Sequence, residues 1–190
     1  MKMASKHRNN FIILTGGPGS GKTSILENLK QRGYQCIDEV GRKIIQEQLA
    51  TGGNALHWGD QIAFRDLMLE RSIEDYLKVE DTENKVFFDR GIPELIGYCY
   101  LINTPVTEAC KVAAQQYRYH PLVFIAPPWK EIYQNDTERK QDFQEAIETY
   151  TAIKRSYIES GYQIIELPKV GVEERVDFIL QYLSDFSLGG

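Results

Sequence analysis

Short apolar runs alternate along the chain with longer stretches in which apolar residues recur every three or four positions. The short runs are rich in β-branched and aromatic residues, as is typical of strands that are buried on both faces. The longer stretches have the spacing of helices that bury one side. This alternation predicts an α/β fold in which helices cover a parallel sheet.

The same pattern sets the bounds of the predicted elements. Five strands are predicted, at 11–15, 34–37, 86–88, 122–126 and 162–167. Helices are predicted at 22–31, 41–50, 60–79, 93–102, 106–117, 142–159 and 173–183. No repeat or linker interrupts them, so we expect a single domain over 11–184, with a flexible N-terminus at 1–10 and a tail at 185–190.

Composition narrows the class of protein. The formal net charge is −5, whereas a nucleic-acid-binding domain usually carries a basic face. No apolar run approaches the roughly 18 residues that a membrane span needs, and no signal core follows the N-terminus. The 3 cysteines have no metal-ligand spacing and are expected to be reduced. We therefore expect a cytoplasmic protein without a nucleic-acid or membrane partner.

A glycine-rich octet lies between the first predicted strand and the first predicted helix and matches G-x-x-x-x-G-K-[ST]. Its glycines let the backbone wrap around phosphate oxygens, and the helix start adds a positive dipole end. Lys22, expected at an exposed helix start, would reach the β- and γ-phosphates, and Thr23 would bind Mg²⁺. The predicted ATP contacts are Gly16, Gly17, Pro18, Gly19, Ser20, Gly21, Lys22, Thr23 and Ser24.

Two other interpretations of this octet are weaker. It could be an ordinary turn between a strand and a helix, but a chance match in that context is rare. A dinucleotide-binding fingerprint would require glycine where Lys22 stands. The octet therefore predicts a triphosphate site and not an NAD site.

Acidic and basic residues follow two predicted strands, where ligands bind in open α/β sheets. Asp89, after the third strand, is placed to hold Mg²⁺ or to accept a proton, although it could merely cap the next helix. Its neighbour is Arg90 and not the Glu common in water-activating ATPases, which favours transfer to an organic acceptor. Glu39 and Arg42 follow the second strand, and Glu39 could also be a plain acidic residue of a helix start.

Two further segments are candidates for the acceptor side of the site. Trp58 and Arg65 belong to a cluster of aromatic, amide and guanidinium groups that could line an acceptor pocket, or could be core. The polar segment 136–140 follows the fourth strand. Its Arg139 is the candidate lid arginine that would neutralise the transferring phosphoryl group, unless the segment is only a solvated helix start.

These motifs occur in a characteristic order, namely the phosphate loop, Glu39 and Arg42, Asp89-Arg90, the segment 136–139 and Leu167-Pro168. In this order they resemble the NadR-like AAA-domain family of predicted ATPases, over residues 11 to about 183. That family is related to ribosylnicotinamide kinase and, more distantly, to thymidylate and deoxynucleoside kinases.

The resemblance implies a P-loop NTPase fold of three layers, α/β/α, with a five-stranded parallel sheet in the order 2-3-1-4-5. It also implies that Glu39 acts as the base, that Asp89-Arg90 is the acid and arginine pair, and that Arg139 is the lid arginine. The chain departs from deoxynucleoside kinases in the lid, because only Arg139 and Lys140 stand where those enzymes carry several arginines.

The function expected from the sequence is transfer of the γ-phosphoryl group of ATP to a hydroxyl of a small, nucleoside-like metabolite. Mg²⁺ is the expected metal, Asp89 or Glu39 the proton acceptor, and Arg42, Arg65, Arg90 and Trp58 the acceptor contacts. The alternative is a regulatory ATPase whose bound nucleotide sets the shape of the segment 136–140 for a protein partner. A ring-forming motor is disfavoured, because no second helical domain is present in the sequence.

Overall fold

The computed structural model describes residues 6–80, 82–133 and 143–188. Five strands form one parallel sheet: β1 (Phe11–Gly16), β2 (Gln35–Ile37), β3 (Val86–Asp89), β4 (Leu122–Ala126) and β5 (Gln163–Glu166). Their order across the sheet is β2-β3-β1-β4-β5. This confirms the predicted sheet and its predicted order.

Seven helices of the described residues connect and cover the strands: α1 (Lys22–Gln31), α2 (Val40–Thr51), α3 (Gln61–Lys78), α4 (Glu94–Leu101), α5 (Glu108–Gln116), α6 (Phe143–Glu159) and α7 (Val172–Leu188). Most of their bounds lie within two residues of the predicted ones. The predicted start of α5 is two residues early, because Thr107 has an extended backbone and its side chain accepts a hydrogen bond from Cys110 N at 3.2 Å.

Alternate residues of β1 enter two different cores. Ile12 and Leu14 pack with α1 and α7 on one face of the sheet, whereas Phe11 and Ile13 pack with α3, α5 and α6 on the other. This is the period of two expected for a strand covered on both sides. The result is the predicted three-layer arrangement, with α2 packed outside on α3 through Ile44 and neighbouring side chains.

Two ends of the chain differ from expectation. Lys6–His7, predicted to be flexible, instead pair in parallel with Tyr117–Arg118, and the buried Tyr76 hydroxyl donates to the carbonyl oxygens of Lys6 and Arg118. Helix α7 runs to Leu188, through most of the predicted tail. None of the helices in the described part of the chain is long and apolar enough to span a membrane.

The register of the central strands sets the position of the candidate site. Leu14 of β1 is paired with Asp89 of β3, and Gly16 is paired with Ala126 of β4. Because all five strands are parallel, their carboxyl ends lie at one edge of the sheet. The loop after β1 and the residues after β2 and β3 therefore lie at that same edge.

Candidate active site

The glycine-rich loop connects the end of β1 to the start of α1. A Cβ atom on Gly16 would lie 2.6 Å from the carbonyl oxygen of Ala126, so the loop can pass β4 only with glycine at this position. Gly21, which precedes α1, has a φ of 82°, a left-handed conformation that glycine adopts without strain. The close approach at Gly16 and the left-handed backbone at Gly21 explain why the motif requires glycine at these two positions.

Lys22 is the first residue of α1 and is nevertheless buried, with 8% of its surface exposed. This corrects the expectation that the lysine lies at an exposed helix start. Its charge acts on Asp89, at the end of the neighbouring strand, and opposes the rise of the pKa of that carboxyl. Thr23 and Ser24, in the same first turn, are exposed.

Asp89 carries a buried carboxylate oxygen, Oδ1, that has no hydrogen-bond partner among the described residues. Burial raises the pKa of Asp89, Glu39 and Glu94 add to the rise, and Lys22 and Arg90 oppose it. The alternative that Asp89 caps the next helix is wrong, since α4 begins five residues later at Glu94 and has no side-chain cap. An unpaired buried oxygen at a strand end is a plausible ligand for a cation.

Arg90 has a φ of 72°, which is uncommon for a residue other than glycine. Its Nη1 donates to Glu94, and its Nε lies 3.3 Å from Glu39 Oε1 as an ion pair. Burial acts to lower the pKa of Arg90, but the carboxylates of Glu94, Glu39 and Asp89 outweigh it and raise the pKa. Arg90 therefore holds the carboxylates of the site in place, and its charge is already neutralised by them.

Glu94 was not found by the sequence analysis. It begins α4, is 6% exposed, and accepts hydrogen bonds from Thr15 Oγ1 at 2.6 Å and from the Tyr157 hydroxyl at 3.1 Å. A sequence signal existed, because Glu94 stands four residues after Arg90 and opens an otherwise apolar helix. That signal cannot distinguish Glu94 from an exposed acid in a helix's first turn.

A cavity of 840 Å³ opens beside these charged residues. Glu39, Asp89, Arg90 and Glu94 lie on its wall, and Pro18 of the phosphate loop reaches it as well. Other parts of the wall come from aromatic side chains and from apolar residues of α2, α3 and α4. The aromatic residues that line it are His57, Trp58, Phe64 and Tyr98.

The charge of this wall is strongly unbalanced. Among the described residues that line the cavity, Arg90 is the one guanidinium, and the carboxylic acids are Glu39, Asp89, Glu94, Glu145 and Glu148. Arg90 is engaged by two of these carboxylates. The described part of the wall therefore favours a neutral or cationic occupant over an anion.

The structure brings only some of the predicted acceptor contacts to this cavity. Trp58 and Arg90 line it, whereas Arg42 and Arg65 are absent from the described residues around it. Arg65 is 5% exposed and donates to Asp66 Oδ1 at 2.9 and 2.7 Å. On α3, Phe64 faces the cavity, and one residue later the helix has turned by about 100°, which directs Arg65 elsewhere. Arg139 lies outside the described residues.

A magnesium ion bound with a nucleotide needs only one or two protein oxygens, because phosphates and water supply the other ligands. Among the residues that the structure describes, no group of three or more His, Cys, Asp or Glu is arranged to hold a metal by itself. The unpaired Oδ1 of Asp89 and the exposed Thr23 hydroxyl fit the smaller requirement. The donor set suits a magnesium ion that arrives with its nucleotide.

Several solved structures share this fold. The chain is similar to deoxyadenosine kinase from M. mycoides with bound dCMP (TM-score 0.65, 15% identity, 92% of this chain and 99% of that chain). It is similar to NadR protein in complex with NR (TM-score 0.66, 18% identity, 92% of this chain and 51% of that chain). It is also similar to shikimate kinase from Aquifex aeolicus (TM-score 0.56, 19% identity, 95% and 99%).

One curated relative is a "nucleotide-binding protein" of Dictyoglomus thermophilum, which is 25% identical over 180 residues. The match covers 93% of this chain and 53% of the relative, so the chain spans about half of that protein's length. A family model described as an AAA domain matches residues 11–175, which include the phosphate loop, all five strands and most of the helices. The chain belongs to this AAA-domain family.

Proposed function

We propose that this protein is an ATP-dependent kinase that transfers the γ-phosphoryl group to a hydroxyl of a small, nucleoside-like molecule. The observation that supports this most directly is the 840 Å³ cavity, which touches both the phosphate loop at Pro18 and the carboxylates at Glu39 and Asp89. A hydrolase that uses only water needs no second cavity of this size, whereas a kinase must hold an acceptor beside the triphosphate.

The phosphate loop would hold the triphosphate, and Lys22 would neutralise charge on its β- and γ-phosphate oxygens. Thr23 and Asp89 would hold Mg²⁺, which supplies positive charge to those oxygens when it is bound. Arg139 is proposed to approach the transferring group from the segment 136–140. Catalysis in this scheme depends on positioning and on charge, as is usual for phosphoryl transfer.

Glu39 is the proposed base that accepts the proton of the acceptor hydroxyl. It lies on the cavity wall directly before α2, and Arg90 restrains its carboxylate at 3.3 Å. The charge of Lys22 acts on Asp89, whose buried Oδ1 has no hydrogen-bond partner among the described residues and suits a cation. The two carboxylates therefore have different proposed roles, proton transfer for Glu39 and metal binding for Asp89.

The charge of the cavity also limits the acceptor. An anion such as shikimate or a nucleotide monophosphate would meet an excess of carboxylates, and the one arginine on the described wall is already paired. A flat, uncharged or cationic ring can instead stack on Trp58, His57 or Tyr98. Among the neighbours, the nucleoside in the name of deoxyadenosine kinase is the better guide to the acceptor.

The test is a panel of nucleosides, nucleoside monophosphates and hydroxy acids, each incubated with magnesium and ATP. We expect phosphorylation of a neutral or cationic nucleoside-like compound, with one phosphorylated product formed for each ADP released. Glu39→Gln is the control that should bind ATP and form the product about 10²- to 10⁴-fold more slowly. Slow ATP hydrolysis without any phosphorylated acceptor would contradict the proposal and favour the regulatory ATPase.

A further inference from the structure

Arg175, in the first turn of α7, is packed against the phosphate loop although 155 residues separate it from the loop in sequence. It is 4% exposed, and its Nη1 donates a hydrogen bond to the carbonyl oxygen of Ser20 at 3.1 Å. A Cβ atom on Gly21 would lie 3.0 Å from its Nη2. Arg175 has no part in the mechanism above, so this close contact requires a separate explanation.

Among the described residues, no acid forms an ion pair with Arg175. Its Nε is buried without a hydrogen-bond partner in the described part of the chain. Its guanidinium carbon lies 5.4 Å from the centre of the Trp129 ring. Burial lowers the pKa of Arg175. A buried cation without an anion is unfavourable, and a buried unpaired polar group in a folded protein requires an explanation, such as a bound ion.

The hydrogen bond to Ser20 also determines the direction of an amide in the loop. In a trans peptide the N–H of the next residue points opposite to the carbonyl. Since the Ser20 carbonyl faces Arg175, the Gly21 N–H is directed away from Arg175. Backbone N–H groups in such loops and at helix starts are the groups that bind phosphate.

We propose that Arg175 is a positioning residue of the phosphate loop, which aims the Gly21 amide at the polyphosphate and whose buried charge the bound polyphosphate compensates. The ligand class is a nucleoside di- or triphosphate, recognised through its phosphates and not through its base. This inference rests on nucleotide binding by the loop, which is part of the proposed function, and it is independent of the acceptor.

The experiment compares Arg175→Met with the parent protein by calorimetric titration with Mg-ATP and with magnesium and inorganic tripolyphosphate. Loss of the hydrogen bond that orients the Gly21 amide, and of the positive charge beside the loop, predicts that Mg-ATP binds about tenfold to hundredfold more weakly. Binding of tripolyphosphate should weaken by the same factor. The ligand-free variant should melt at the same temperature as the parent or higher, because an uncompensated buried charge has been removed. Arg175→Lys, which retains the charge, should give an intermediate affinity.

Arg118→Met is the matched control. Arg118 also donates to backbone carbonyls, of Ala114 and Ser160, and stacks on an aromatic ring, that of Tyr162, at 4.0 Å. It lies away from the phosphate loop, so its loss should leave the affinity for both ligands unchanged. A reduced affinity in Arg118→Met equal to that in Arg175→Met would show a general effect of losing a packed arginine and would overturn the inference.

Three other results would also overturn the inference. Unchanged affinity in Arg175→Met would remove Arg175 from the loop's function. Weaker ATP binding with unchanged tripolyphosphate binding would place its effect on the base. A ligand-free Arg175→Met that melts well below the parent would assign Arg175 a structural role. A parent protein that binds neither ligand would refute the proposed function itself, and this outcome is distinct from the other three.

Discussion

Arg90 is the residue on which the charged wall of the cavity depends. A left-handed backbone at an arginine costs roughly 1–3 kcal/mol, and the surrounding contacts must hold it there. Those contacts are the ion pairs to Glu39 and Glu94, both of which are largely shielded from solvent. Glu94 is in turn held by Thr15 and Tyr157. The position of the Glu39 carboxylate therefore depends on Arg90 and, through Arg90, on Glu94.

Glu94→Gln tests this dependence. Removal of one partner from a buried ion pair predicts a loss of about 3 kcal/mol in the free energy of unfolding, measured by urea denaturation. Turnover should also fall, because Arg90 loses the partner that fixes it. The control is Glu108→Gln, since Glu108 has 82% side-chain exposure in its pair with Lys111 and should change stability by less than about 0.5 kcal/mol. Equal stability of the two variants would contradict the assignment.

The separate roles proposed for Glu39 and Asp89 are tested by amide substitutions. Glu39→Gln should lower the turnover number by about 10²- to 10⁴-fold, because the acceptor hydroxyl loses its base, while ATP affinity stays unchanged. Asp89→Asn should bind ATP and lose turnover, and its activity should depend more steeply on magnesium concentration. Steady-state kinetics at varied magnesium separate the two effects. The same magnesium dependence in both variants would remove the distinction between base and metal ligand.

At the scale of elements, the candidate site lies where β1, α4 and α6 meet. Glu94 of α4 is hydrogen-bonded to β1 through Thr15 and to α6 through Tyr157, and Gly91 N, just before α4, donates to the same Tyr157 hydroxyl at 2.9 Å. A Cβ atom on Gly97 of α4 would lie 3.0 Å from the carbonyl oxygen of Ala152, so α4 and α6 approach closely. This packing holds α4, and with it Glu94, rigidly beside the phosphate loop.

His120, two residues before β4, gives a prediction about how the stability of the protein depends on pH. His120 is 7% exposed, its Nδ1 accepts a hydrogen bond from Leu122 N, and its ring packs on Phe186 of α7 at 5.1 Å. Burial lowers the pKa of His120 below its usual 6.5, so the unfolded chain binds the proton more tightly than the folded one. The protein should therefore lose stability as the pH falls through about 6.5 towards the folded pKa.

His120→Asn isolates this effect, because asparagine retains an acceptor for Leu122 N and does not titrate. The fall in unfolding free energy between about pH 7.5 and pH 5.5 should be smaller in the variant than in the parent. The other two histidines are the same in both proteins, so they do not affect the comparison. An identical slope in the two proteins would show that His120 does not contribute to acid destabilisation.

At the scale of the whole molecule, a bound nucleotide should stabilise the fold, because the loop that binds it contacts both the sheet and the helices. The phosphate loop follows β1 and begins α1, and Arg175 ties it to α7. Mg-ATP at a hundred times its dissociation constant predicts about 2.7 kcal/mol of added stability. For a chain of this size that corresponds to a rise of roughly 5 to 10 °C in Tm, measurable by differential scanning fluorimetry.

Lys22→Ala is the control for that rise. It should keep the fold, as judged by circular dichroism, and show no change of Tm with Mg-ATP, because the phosphate-binding charge is gone. Loss of ordered circular dichroism in Lys22→Ala would instead assign the buried lysine a structural role. An equal rise in both proteins would place nucleotide binding outside the predicted loop.

Local pattern alone determined most of the fold and the phosphate loop of the candidate site. Apolar strands, helix periodicity and a motif of eight consecutive residues are local features, and neighbouring residues enforce them without help from distant parts of the chain. The strand order came from the resemblance to a family. Asp89 and Glu39 were also found from sequence, since they directly follow apolar strands whose carboxyl ends must lie at one edge of a parallel sheet.

Only the tertiary structure decided which other side chains reach that edge. Arg65 carries the charge expected of an acceptor contact, but the turn of α3 directs it to Asp66, while the apolar neighbour Phe64 lines the cavity. Glu94 and Arg175 appear in sequence as ordinary residues of a helix's first turn. Glu94 is held by Thr15, 79 residues away in sequence, and Arg175 by Ser20, 155 residues away. Contacts between residues so far apart in sequence leave no local pattern in a single sequence.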